Sequence, residues 1–215
     1  PIRHGTYLMA DPAYIDPATG VLTDGEAWVA LAPTTTVPLG SDTSLIVCES
    51  TDDGQVGDFS QYMDLVIIWY GKSTSTAATT DTFQVELNDV SAGTTWAVQK
   101  FNSDGANDAA AAAAEGRWQA GIVPTSDTDG GVVADVYGTC IITLFDINSG
   151  KYKSAISQYA SDANGQGNVG ITGATWQKQE AITKVELMMG YNQVAGTTLS
   201  IFGILPSMLT TGTLP

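Results

Sequence analysis

The chain has 215 residues, of which 43% are hydrophobic, so it is long and apolar enough to bury a substantial core. Charged residues make up only 14%, and 23 acidic against 8 basic side chains leave a net charge of −15. That balance repels phosphate backbones and excludes nucleic acid as a partner, while Thr, Ser, Asn and Gln supply much of the polar surface. The first residues, Pro1-Ile2-Arg3-His4-Gly5, hold no apolar signal-peptide segment, and the longest strongly apolar run, Leu65 to Tyr70, is too short to cross a bilayer. Neither secretion by a visible signal nor membrane insertion is expected.

Residues 1–43 read as an extended N-terminal arm, because Pro1, Pro12, Pro17, Pro33 and Pro38 interrupt any strand ladder. Tyr7, Leu8, Met9, Tyr14, Ile15, Trp28, Val29 and Leu31 are apolar and need a surface to lie on. The arm therefore either wraps its own domain or reaches a neighbour. Residues 44–205 form the predicted β-sandwich, and 206–215 a C-terminal tail.

From Leu45 onward short apolar or alternating runs are separated by clusters of Gly, Asp, Asn, Ser and Thr at sandwich spacing. About ten strands are predicted, at 44–50, 63–71, 82–89, 96–102, 117–123, 135–148, 152–160, 169–178, 182–190 and 197–204. In Thr82 to Asn88 the residues Phe83, Val85 and Leu87 point one way and Gln84 and Glu86 the other. Leu65 to Tyr70 is apolar on both faces and reads as a central strand covered on each side. Ala109 to Ala114 is the only good local helix former, and six residues are too few to hold a helix alone, so it reads as one helical turn in a loop or as low-complexity chain. With about ten strands and almost no helix, an all-β, jelly-roll-like sandwich is the expected fold.

The chemistry-bearing residues are few. His4 is the single histidine, which leaves no proton shuttle for a hydrolytic triad. Cys48 and Cys140 each lie in an apolar run and read as ordinary buried thiols, with a disulfide between them left open by their spacing. His4, Cys48 and Cys140 together are too few for a structural zinc site. The Gly-rich stretches at Asp129-Gly130-Gly131 and Gly165-Gln166-Gly167 sit between strands and read as turns. The segments Thr51 to Gly54, Asn102 to Asp108 and Asp127 to Gly130 have a calcium-like look but lack the terminal Glu, and Asp-Gly is the ordinary chemistry of tight turns. Trp96, Trp118 and Trp176 adjoin polar residues in predicted strands, where core packing is the usual fate and at most one is expected in a binding surface. No catalytic, cofactor-binding or metal residue is assigned, and the chain is read as non-enzymatic.

The order of segments along the chain carries a resemblance. Tyr62-Met63-Asp64-Leu65 precedes a strand ending in Asn88, then come Ile141 to Ile147, Tyr152-Lys153-Ser154, Gly173-Ala174-Thr175-Trp176, Ala181-Ile182-Thr183-Lys184-Val185 and a closing strand ending in Phe202-Gly203-Ile204. Over about residues 59–204 this order resembles a diverse group of tailed-bacteriophage virion proteins with a jelly-roll-like module, in which the closing strand ends in Tyr-Gly-Ile. Phe202 stands where that group has Tyr, and the arm has no counterpart. The resemblance implies a structural virion protein with no catalytic residues to carry over. With the acidic, hydroxyl-rich surface, the apolar anchors of the arm and the absence of chemistry, the first expectation is a capsid decoration (cement) protein on the outer head surface that contacts the major capsid protein and neighbouring copies, a homotrimer from the threefold geometry of a capsid lattice, assembled in the host cytoplasm. The alternative is a tail or head-fibre appendage that binds host-surface glycan or receptor through exposed aromatics.

Overall fold

The computed structural model describes residues 28–38, 43–126, 135–162 and 167–205. Among them the chain forms thirteen strands: β1 (Trp28–Ala30), β2 (Thr35–Thr36), β3 (Thr43–Glu49), β4 (Asp64–Gly71), β5 (Thr80–Leu87), β6 (Trp96–Ser103), β7 (Asp108–Glu115), β8 (Trp118–Pro124), β9 (Gly138–Phe145), β10 (Lys153–Ser161), β11 (Asn168–Trp176), β12 (Lys184–Gln193) and β13 (Thr198–Ile204). A single 3-10 turn, Phe59–Gln61, precedes β4. The strands build a nine-stranded sheet in the order β1-β13-β4-β9-β10-β11-β6-β7, with β2 also on β13, and a four-stranded sheet in the order β3-β12-β5-β8. Every strand pairing is antiparallel, and the fold is an all-β, jelly-roll-like sandwich.

The period-2 pattern decides what lies between the sheets. Phe83, Val85 and Leu87 of β5 and Val185, Leu187 and Met189 of β12 are buried, and they face Leu65, Ile67 and Trp69 of β4 with Cys140, Ile142 and Leu144 of β9 in one core. Four Trp side chains, Trp69, Trp96, Trp118 and Trp176, are among the largest fully buried groups. Trp69 Nε1 donates to Gln193 Oε1 at 2.9 Å, and Trp118 Nε1 reaches across the sandwich to Thr172 Oγ1 at 2.9 Å. The Trp96 ring lies 5.4 Å from Trp118 and 6.4 Å from Trp176, so aromatic packing fills the end of the core where β6 and β11 meet β8.

Ten of these strands fall on the stretches expected from the sequence, and three do not. Residues 28–38 of the expected arm wrap their own domain: β1 and β2 pair with β13, and Val29, Leu31 and Val37 are buried in the core. The alanine tract is neither a helical turn nor loose chain. It is β7, the edge strand of the large sheet, paired residue for residue with β6 around the turn at Asp104-Gly105. A six-residue helix earns too little on its own, whereas eight residues of ladder satisfy the backbone on one side, so tertiary pairing overrides alanine's helix propensity.

The strand β4 is central, between β13 and β9, as expected. It is not covered on both faces, because Ile68 and Tyr70 are exposed on the side away from the small sheet.

Candidate functional site

The outward side chains of the large sheet form the most distinctive surface among the described residues. The ladders bring Ser200, Ile68, Ile141, Gln158, Ile171, Phe101 and Ala110 into one row across seven strands. A neighbouring row carries Thr198, Tyr70, Thr139, Ala160, Val169, Ser103 and Asp108. Exposure runs from 38% at Ile68 and Ile171 to 57% at Val169, with Phe101 at 54%. At the β1 edge Trp28 lies 6.1 Å from Phe202 on the same side. Eight of the thirteen exposed large hydrophobics in the described residues stand on this face: Trp28, Ile68, Tyr70, Phe101, Ile141, Phe145, Val169 and Ile171.

Charge is absent from the middle of that face. Among the described residues its only outward carboxylates, Asp64 and Asp108, sit at strand ends. Over β10 the small Ala160 leaves a groove of about 420 Å3, walled by Ile141 on β9 and by Val169 and Ile171 on β11. Covering such a face removes hydrocarbon from water without stripping any ion.

The outward face of the small sheet is the opposite. Lys184 Nζ lies 2.6 Å from Asp89, 3.2 Å from Glu186 and 3.6 Å from Glu49, and Arg117 Nε lies 2.6 Å from Glu86. The Asp89 hydrogen bond, reinforced by Glu186, holds the Lys184 ammonium above its ordinary pKa. Beside β8 a polar cleft of about 420 Å3 is lined by Gln84, Ser91, Glu115, Gly116, Arg117 and Gln119. Its charges are already matched, Arg117 with Glu86 and Lys100 with Glu115, and Lys100 also donates to Gln119 at 2.8 Å.

The residues singled out in the sequence fall elsewhere. Trp96, Trp118 and Trp176 are all fully buried, so none offers a ring to a ligand. Cys48 on the small sheet and Cys140 on the large sheet are free thiols, and burial pushes both upward in pKa, Cys48 to about 11. In the first calcium-like segment Asp53 Oδ1 accepts from Thr51 Oγ1 at 2.6 Å and from Gln55 N at 2.9 Å, which lowers its pKa. In the second, Asp104 accepts from Ala106 N at 2.9 Å and Asn107 N at 2.6 Å, with the same effect. These carboxylates close their own turns, and no group of three or more His, Cys, Asp or Glu side chains converges on a metal-sized space among the described residues. The third segment, Asp127 to Gly130, and His4 lie outside the described residues. No helix among the described residues is long and apolar enough to cross a membrane.

The apolar face itself escaped the sequence reading. The run Leu65 to Tyr70 is apolar at odd and even positions alike, which reads as core on both sides, and Ile141 to Phe145 has the same character. The signal available was the lack of Lys, Arg, Asp and Glu at the outward positions of β9, β10 and β11.

No family model matches the chain, and a search of the curated proteins finds no match. Among solved structures the chain is similar to the CBM40 of the Ruminococcus gnavus IT-sialidase, solved bound to α2,3-sialyllactose, at 14% identity and a TM-score of 0.30, covering 83% of this chain and 95% of that one. A likeness of that size carries no argument about what this chain binds.

Proposed function

We propose that the protein is a structural component of a tailed-phage virion, a capsid decoration protein that binds the outer head surface and stabilises the shell. The observation that supports it most is the sorting of the two sheet faces: one outward face is ion-paired and wet, the other apolar and almost free of charge. A molecule built this way works by associating. Bound only to the assembled lattice, it stabilises that lattice by mass action, with no chemical step. The segment before β1 brings the apolar anchors Tyr7, Leu8, Met9, Tyr14 and Ile15 to grip the major capsid protein.

Purified protein added to heads that lack it should bind and raise their rupture temperature by several degrees. Replacing Tyr7, Leu8 and Met9 together by Ser should weaken head binding by about 10-fold or more, with circular dichroism as the control for folding. Adhesion to host cells with no binding to heads would overturn this reading in favour of a host-recognition appendage.

A further inference from the structure

We infer that the apolar face of the nine-stranded sheet is covered by a second copy of this chain, the two large sheets stacking face to face about a two-fold axis. The inference rests on reading that face as the molecule's association surface.

Three observations select a second copy as the occupant. The first is charge. A chain at −15 repels its twin overall, and this face is where two copies meet without opposing carboxylates, since Asp64 and Asp108 stand at its margins.

The second is area. Seven strands from β13 to β7 at ~4.8 Å spacing, with about six residues of ~3.3 Å rise on each, span roughly 30 by 20 Å, or on the order of 600 Å2 of projected face per copy. Two such faces bury on the order of 1,200 Å2 or more in total, which reaches the range of stable specific interfaces. Aligned sheets also stack with their side chains interdigitated, which is how a sandwich core is made.

The third is shape. A two-fold contact sets the same patch against itself, so every ridge must meet a groove of the same molecule. Here the ridge is Val169 with Ile171 on β11, and the groove lies next to it over Ala160 of β10. An axis running along the strands between β10 and β11 places Val169 of each copy over Ala160 in the groove of the other, Ile171 over the partner copy's Gln158 and Ile141 over the partner copy's Phe101. Gln158, the polar member of the row, then meets the apolar Ile171 with its amide free to reach the rim. The product is a pair, in place of the threefold closure that lattice geometry suggested.

The test is sedimentation of the full-length protein over a concentration series, with circular dichroism and the melting temperature as controls for folding. The wild type should sediment with the mass of two chains. Ile171→Asp should weaken the pairing by about 100-fold or more, because each two-fold contact then buries two uncompensated carboxylates. Val47→Asp, on the outward face of the small sheet, should leave it intact.

A wild type of one-chain or three-chain mass overturns the inference, as does a pair that survives Ile171→Asp or is lost in Val47→Asp. A monomer that still binds heads overturns the pairing alone and leaves the decoration reading standing. A pair that ignores heads does the reverse.

Discussion

Asp58 shows how one carboxylate organises a loop. Its side chain accepts from Gly54 N at 2.8 Å and from Ser60 N at 2.9 Å, capping the 3-10 turn that leads into β4. Burial works against its charge, yet the bonds from Ser60 and Gly54 outweigh burial and lower its pKa. A lowered folded pKa means that this stabilisation is complete above the ordinary carboxylate range and is lost as pH falls below about 4. Asp58→Asn should cost about 0.5–2 kcal/mol at neutral pH, and its unfolding midpoint in urea should fall less steeply between about pH 5 and about pH 3 than the wild type's.

Lys153 is the reverse case, a cation 1% exposed whose Nζ donates to the backbone carbonyls of Ser149, Lys151 and Gln179. Desolvation lowers its pKa, opposed by the charges of Asp146 and Glu180. The unfolded chain then holds more protons between the folded value and the ordinary 10.5, so this group adds stability as pH rises through that window. Lys153→Met orphans three carbonyls and should destabilise by about 1–3 kcal/mol, with a penalty that grows toward alkaline pH in urea titrations.

At the scale of elements, segments distant in sequence lock together through single residues. Gly203 in β13 lies against the face of the Tyr62 ring, where a Cβ would land among ring atoms, and the Tyr62 hydroxyl donates to Val56 O at 2.9 Å. Gly203→Ala should therefore lower stability by about 1–3 kcal/mol through overpacking, and Tyr62→Leu in the same chain should recover part of the loss; a melting series of the two single and the double variant checks both. Asn88 and Asp89, at φ values of 52° and 58°, turn the chain after β5, and Asn88 Oδ1 accepts from Thr183 N at 2.9 Å and Lys184 N at 3.1 Å. That side chain ties β5 to the entry of β12.

For the whole molecule, the charge of −15 sets the response to salt. Among the described residues the ion pairs are few and mostly on one face, while the excess of carboxylates in the chain is self-repelling. Screening relieves the repulsion more than it weakens the pairs, so the melting temperature should rise by a few degrees between about 0.01 M and about 0.5 M NaCl. A fall over that range would show that the paired charges dominate.

Much of the sandwich was legible in one dimension. Alternation at period 2, broken by Gly, Asp and Asn, marks ten strands to within a few residues, because a half-buried pleat demands apolar side chains at every second position. The lack of a histidine outside the arm, and of Cys beyond two separated thiols, was equally legible, since composition bounds chemistry without any fold. Three strands were not. Trp28–Ala30 and Thr35–Thr36 are too short and Pro-flanked to show a period, and the alanines of β7 carry helix propensity that only the ladder with β6 overrides.

The candidate site belongs wholly to the tertiary structure. Ile68 and Ile67, or Ile141 and Ile142, are indistinguishable as letters, and one of each pair is core while the other faces out. Which becomes which depends on the small sheet, whose four strands cover one side of nine and leave the other open. A strand's sequence sets its alternation; only the packing of one sheet on another decides which face meets water.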